Sequence, residues 1–312
     1  MPSPSFQSIS LAMAAALFVS HGGAAAKLDL APASGWELRE YDDKCRSARG
    51  FGAGEDAVTL WIDKGGPGPS VNLTFIGRPL RNPYGPTVRF AFGESEKTER
   101  NYVKVTSSAG RPVLVLFGAQ PMDAVPDLPV VDMAESDAPL EEEEVDLAAA
   151  SLSDPGFNKE LVAERLSAIE TIRLEGAIVE PLVLEFDGFG EAMVDLGSCA
   201  ADLTEELKRQ GGGEGSTPPE PERQQEWAAE IMKDYPVHLL RKEEEGSVAV
   251  RLTIGRKGRV SFCEVTGFSG PASFNETACL NLMKHARFKP AKDGEGNPVP
   301  AFWTTRVTYS IR

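Results

Sequence analysis

The side chains in this sequence best suited to chemistry are four cysteines, Cys45, Cys199, Cys263 and Cys279, and three histidines, His21, His238 and His285. Zinc takes four nitrogen and sulfur ligands, so His238 and His285 with Cys263 and Cys279 would make one metal set. Disulfide formation competes with it: in an exported chain an even number of cysteines reads as a disulfide framework, here two bridges with three connectivities open. Other reactive patterns are missing. The chain has no His-Glu-x-x-His, no Gly-x-Ser-x-Gly elbow, no phosphate loop and no Cys-x-x-Cys. Acid pairs such as Glu185 and Asp187 stand among 47 Asp and Glu residues, so their default role is solvated surface. We therefore assign no catalytic residue, no metal and no cofactor, and expect no enzymatic activity.

Export is expected from the N-terminus. An apolar run from Ile9 to Val19 is followed by Gly22-Gly23 and then Ala24-Ala25-Ala26 before Lys27, the small-residue pattern of a signal-peptidase site. Residues 1–26 thus read as a signal peptide cleaved after Ala26. The run is shorter than the ~20 apolar residues that span a bilayer, and no later segment is long enough. Retained uncleaved, it would instead anchor the chain in a membrane.

Net charge is −15, but Tyr235 to Arg312 holds 12 Lys and Arg against 7 Asp and Glu, so this part carries +5 and the remainder −20. Nucleic acid is excluded as a partner of the whole chain because the acidic part repels phosphates. Part of that deficit is one run, Glu135 to Asp146, inside a Pro-, Asp- and Glu-rich linker at 120–154.

The elements that must position any site are of two kinds. From Trp36 to Ala119, short apolar or alternating runs between Gly and Pro turns predict strands at 36–41, 45–51, 57–62, 71–76, 87–92, 102–106 and 112–117, in a sandwich or barrel-like arrangement. A short helix over 158–168, strands at 169–174 and 182–186, and a helix over 189–208 follow. That last helix repeats Phe189, Met193, Leu196, Ala200, Leu203 and Leu207 at three- and four-residue steps, a core-facing stripe with Cys199 beside it. Two loops, Gly65-Gly-Pro-Gly-Pro69 and Arg81-Asn-Pro-Tyr-Gly-Pro86, are candidate ligand loops or plain rigid turns. The first domain is placed at 27–209, a flexible Gly- and Pro-rich linker at 210–222, and a second domain at 223–312. The fold class is α+β.

In the second domain Val248, Val250, Leu252 and Ile254 alternate with polar or small residues, one buried strand face. Gly255-Arg-Lys-Gly258 is a hairpin loop and Arg259 to Thr266 the returning strand. Phe274 to Arg287 reads as a helix capped by Ser273 or Asn275. Cys263 and Cys279 then approach one strand-helix interface, while Cys45 and Cys199 bracket the first domain. One bridge per domain is the simplest connectivity. A final alternating strand runs over 302–311.

The order Tyr235-Pro236, Gly246 to Ile254, Gly258-Arg-Val260, Val265 to Gly270, the helix start Phe274 to Ala278, Arg287 to Ala291, and Gly296-Asn-Pro-Val299 closely resembles the C-terminal domain of TonB, the bacterial energy transducer. The resemblance covers about a quarter of the chain. It implies a periplasmic domain of an antiparallel sheet packed with a helix, whose partner is an outer-membrane TonB-dependent receptor or another envelope protein. It also implies binding of an extended peptide by strand addition. By that analogy Tyr235 and Pro236 flank the groove, and Phe302, Trp303, Thr304, Thr305, Arg306, Val307, Thr308 and Tyr309 form the receiving edge. A second expectation is an envelope scaffold that uses the same fold for cell-wall contact or for pairing into a homodimer. A transducer needs a long spacer, and Gln210 to Glu222 stretches to ~45 Å at most, so binding rather than energy transduction is what carries over.

Overall fold

The computed structural model describes residues 27–81, 85–124 and 159–311. The expected signal segment, Tyr84 and residues 125–154 of the acidic linker lie outside them.

In chain order the first part contributes β1 (Leu28–Leu30), β2 (Glu37–Glu40), β3 (Cys45–Phe51), β4 (Val58–Lys64), β5 (Val71–Gly77), β6 (Thr87–Phe92), β7 (Thr98–Asn101), β8 (Val103–Thr106), β9 (Pro112–Ala119), α1 (Lys159–Ser167), β10 (Thr171–Glu175), β11 (Leu182–Glu185) and α2 (Phe189–Gly211). Strands β2-β3-β4-β5-β9-β8 form one antiparallel sheet, and β1-β11-β10-β6-β7 a second in which only β1 and β11 run parallel. Both sheets are open. Leu60, Ile62, Leu73 and Phe75 of the first share a core with Phe90, Phe92, Ile172 and Leu184 of the second and with Met193, Leu196, Leu203 and Leu207 of α2. The α2 stripe is thus buried as its spacing demands. Cys199 beside it bonds to Cys45 at the start of β3, with Cα atoms 6.1 Å apart. Strands β1 and β7 were not expected. β7 reads Thr-Glu-Arg-Asn, with no apolar residue to betray it, and joins the sheet through its backbone pairing with β6.

The second part continues with β12 (Glu220–Pro221), α3 (Gln224–Lys233), α4 (Val237–Leu240), β13 (Gly246–Ile254), β14 (Val260–Ser269), α5 (Phe274–His285), β15 (Phe288–Lys289), β16 (Ala291–Lys292), β17 (Pro298–Val299) and β18 (Ala301–Tyr309). Its main sheet is antiparallel in the order β14-β13-β18. Val248, Val250, Leu252 and Ile254 of β13 are fully buried, against Phe274, Ala278 and Leu282 of α5 and Trp227 and Ile231 of α3. Cys263 and Cys279 are joined across that contact, Cα to Cα 5.6 Å. The hairpin glycine Gly258 has φ +69°, and a Cβ there would meet the Phe288 carbonyl oxygen at 1.9 Å, so no other residue fits.

The stretch expected as a flexible linker is not a free tether. Helix α2 extends into it as far as Gly211, and Thr217 exchanges backbone hydrogen bonds of 2.9 and 3.0 Å with Lys292. β12 then pairs with β15. Gly and Pro composition marks the absence of helix, but backbone partners supplied from 70 residues away were invisible to it.

Candidate functional site

β18 pairs with β13 alone, from Gly246 opposite Tyr309 to Ile254 opposite Ala301, so its other edge has no strand neighbour among the described residues. Along it the expected site residues divide by face. Trp303 packs edge-on to Phe288 at 5.0 Å and to Trp227 at 6.4 Å. Val307 and Tyr309 are buried, and Tyr309 stacks on Phe274 at 4.4 Å. The Tyr309 hydroxyl finds no hydrogen-bond partner, and burial pushes its pKa up. These side chains hold the strand down at both ends.

On the opposite face Phe302 lies under the Arg251 guanidinium at 5.2 Å and packs against the core of the first part. It belongs to the contact between the two parts rather than to a free groove. Thr304, Arg306 and Thr308 on the same face are exposed, and Arg306 donates to the Ser247 hydroxyl at 2.9 Å. Tyr235 sits edge-on to Phe274 and Tyr309, at 5.6 and 5.5 Å, and its hydroxyl donates to the Glu244 carbonyl. Pro236 is buried and its carbonyl accepts from Leu239 and Leu240 to start α4. Tyr235 and Pro236 therefore lock the chain into the domain at the Tyr309 end of β18.

The opposite edge of this sheet is already occupied. Ser70 donates its hydroxyl to the Val265 carbonyl, and Asn72 Nδ2 donates to the Cys263 carbonyl at 2.8 Å. These are alternate residues of β14, so side chains of the first part satisfy the edge acceptors that an added strand would use. The Asn72 side-chain oxygen accepts from Gly118 N–H at 3.2 Å, which fixes the amide from both ends.

Two buried ion clusters flank this cap. Glu264, 2% exposed, accepts from Arg251 at 2.5 Å, and the Lys64 ammonium lies 3.9 Å away. Lys64 also donates to the carbonyls of Gly68 and Ser70, the latter at 3.2 Å. Burial pushes the Glu264 carboxyl up and the Lys64 ammonium down. In the second cluster Arg100 donates to Glu276 at 2.6 Å and to the Phe117 carbonyl, and Phe117 N–H donates to the same Glu276 oxygen at 3.2 Å. Burial raises Glu276 to about 6 despite the guanidinium beside it. Ser273, expected as a helix cap, instead donates to the Glu99 carbonyl at 3.1 Å and accepts from Asn101 N–H at 3.0 Å.

The Gly65–Pro69 loop, read as a candidate ligand loop, is part of the same contact. Pro67 accepts from Arg251 at 2.6 Å, and a Cβ on Gly65 or Gly66 would strike Phe262 or Arg251. Lys64, Ser70, Asn72 and Arg100 escaped the sequence reading. The only signal of Lys64, Asn72 and Arg100 was a charged or amide side chain within a strand, and Ser70, just before β5, offered none. The zinc alternative is overturned by the disulfide itself: Cys263 and Cys279 are bonded to each other and supply His238 and His285 with no thiolate. Among the described residues no group of three or more His, Cys, Asp or Glu side chains could hold a metal ion, and no helix is long and apolar enough to cross a membrane.

A three-stranded antiparallel sheet backed by a disulfide-pinned helix defines a small α+β domain. Residues 232–311 match the family described as the Gram-negative bacterial TonB protein C-terminal domain, and the chain carries a TonB-like C-terminal domain. Domains of this family are binding modules of the cell envelope rather than enzymes, and TonB proteins generally interact with outer-membrane receptors. No curated protein and no solved structure is significantly similar to the chain.

Proposed function

We propose that this protein is an exported periplasmic adaptor linked to TonB-dependent transport across the outer membrane. Its ligand is an extended peptide segment of a TonB-dependent receptor or another envelope protein, added as a fourth strand along β18. The observation that carries the proposal is the asymmetry of the sheet: Ser70 and Asn72 cap β14, while β18 has no strand beyond it among the described residues. Every second residue of β18 aims its N–H and C=O away from β13, and each backbone bond to a peptide is worth about 1 kcal/mol net. Selectivity falls to the exposed side chains Thr304, Arg306 and Thr308, with Arg306 favouring an acidic residue on the same face. Export follows the small-residue pattern before Lys27, so the mature chain starts there.

The test is a titration of the mature protein with peptides of about 10 residues, the length of one strand, taken from receptor N-termini. Each is compared with a copy N-methylated at alternate amides. Strand addition requires that methylation in one of the two registers weakens binding about tenfold or more, and that methylation in the other does little. Absence of binding up to millimolar peptide, or indifference to both methylation registers, refutes the proposal.

A further inference from the structure

A recess lies where the turn after β2 meets the β13–β14 hairpin. It has a volume of 720 Å³, with Glu40, Asp42 and Asp43 on one side and Arg256, Lys257 and Arg259 on the other. Among the described residues the one ion pair any of the six makes is that of Asp43 with its neighbour Lys44, at 3.5 Å. The basic side is crowded as well: burial, and then Arg259 and Arg223, hold Arg287 below the usual arginine value. A smaller lobe of 330 Å³ adjoins the first through Tyr41, Arg256 and Pro300 and includes Leu203 and Leu207 of α2 in its lining. The recess therefore offers a negative side, a positive side and apolar surface between the two parts of the chain, a common setting for ligand sites.

Its walls are braced. The acidic turn is closed by a 2.9 Å bond from Tyr41 N–H to the Lys44 carbonyl, and the next residue, Cys45, is bonded to α2. The basic hairpin is closed by Gly255 N–H to the Arg259 carbonyl at 2.9 Å and held by the steric constraint at Gly258. Unpaired charges held on fixed supports are preorganised for a ligand that brings both signs itself.

We propose that this cleft binds short linear peptides whose amino and carboxyl termini are both free. The ammonium docks on Glu40 and Asp42, the carboxylate takes charge-assisted hydrogen bonds from Arg256 and Lys257, and small side chains lie toward Leu203 and Leu207. Exposed ion pairs are individually weak, so binding depends on both ends together and falls with salt.

The experiment is calorimetric titration of the intact mature protein with trialanine at low ionic strength, beside N-acetyl-trialanine and trialanine amide. An arm with a peptide ending in D-Ala-D-Ala separates cell-wall fragments from protein fragments as the source. Free trialanine or the D-Ala-D-Ala peptide should bind, and blocking either terminus should weaken binding about tenfold or more. The double variant Arg256→Glu, Lys257→Glu should abolish binding with Tm unchanged, while Arg306→Glu on β18 should leave it intact, which keeps this site distinct from the strand-addition edge. Flat isotherms for all free-ended peptides, or equal binding of blocked and free peptides, would overturn the proposal. So would a double variant that lowers Tm yet still binds, because the two sides would then merely hold each other.

Discussion

Replacing Glu276 by Gln tests the contact between the two parts at a fully buried charge. Glu276 is 1% exposed and bonded to Arg100 and to Phe117 N–H. Its pKa rises from the ordinary 4.5 to about 6 because loss of water outweighs the guanidinium's attraction. A folded-state value above the unfolded one means that the native protein binds the extra proton between these limits. Stability from this group is therefore full below about pH 4.5 and is lost as pH rises through 6. At about 1.4 kcal/mol per decade, the loss is about 2 kcal/mol between pH 4.5 and 7. Glu276→Gln cannot titrate and leaves Arg100 without its counter-charge. The gap, taken as wild-type stability minus that of the variant, should rise by about 2 kcal/mol as pH falls from 7 to 4.5, because only wild type gains the favoured neutral form on the way down. Urea unfolding of both proteins at half-unit pH steps measures that gap, with all other carboxylates cancelling in the difference. A gap independent of pH would refute the raised pKa. A gap that narrows toward acid would show that Arg100 prevails over desolvation.

Two further outcomes follow from the packing. Asn72→Ala removes the 2.8 Å bond to the Cys263 carbonyl and the 3.2 Å bond from Gly118 N–H, leaving both buried groups unpaired. It should cost about 2–4 kcal/mol, seen as a lower urea midpoint, and faster hydrogen exchange in β14 than in β18. Replacing Cys263 and Cys279 together by Ser opens a bridge of sequence separation 16 and should cost about 3 kcal/mol, against about 5 for Cys45 and Cys199 with separation 154. Thermal unfolding of the two double variants gives the ranking.

The local grammar of the chain was legible because it depends on neighbours in sequence. The alternation of Val248, Val250, Leu252 and Ile254, the glycines of the 255–258 hairpin and the three- and four-residue stripe of α2 each appear where their periods require. Both disulfides join the cysteines that one bridge per domain would pair. The Phe302 side chain was misplaced because period two separates faces without saying what covers each of them. The paired segment 217–222 and the diverted hydroxyl of Ser273 were hidden for a related reason: their partners are distant backbone groups. β7 pairs with its neighbour β6 and was hidden because it has no apolar residue.

By itself, then, the order of residues determined most of the elements and the existence of a terminal strand with a buried and a polar face, since those follow from side-chain spacing along one segment. Only the tertiary structure decided which edge of the sheet stays open. That choice rests on Ser70 and Asn72 reaching β14 across 195 and 191 residues, and on Arg100 meeting Glu276 across 176. Hydrogen bonds and buried charges act over a few ångströms of space, and no pattern along the chain records which far segments the fold will bring that close.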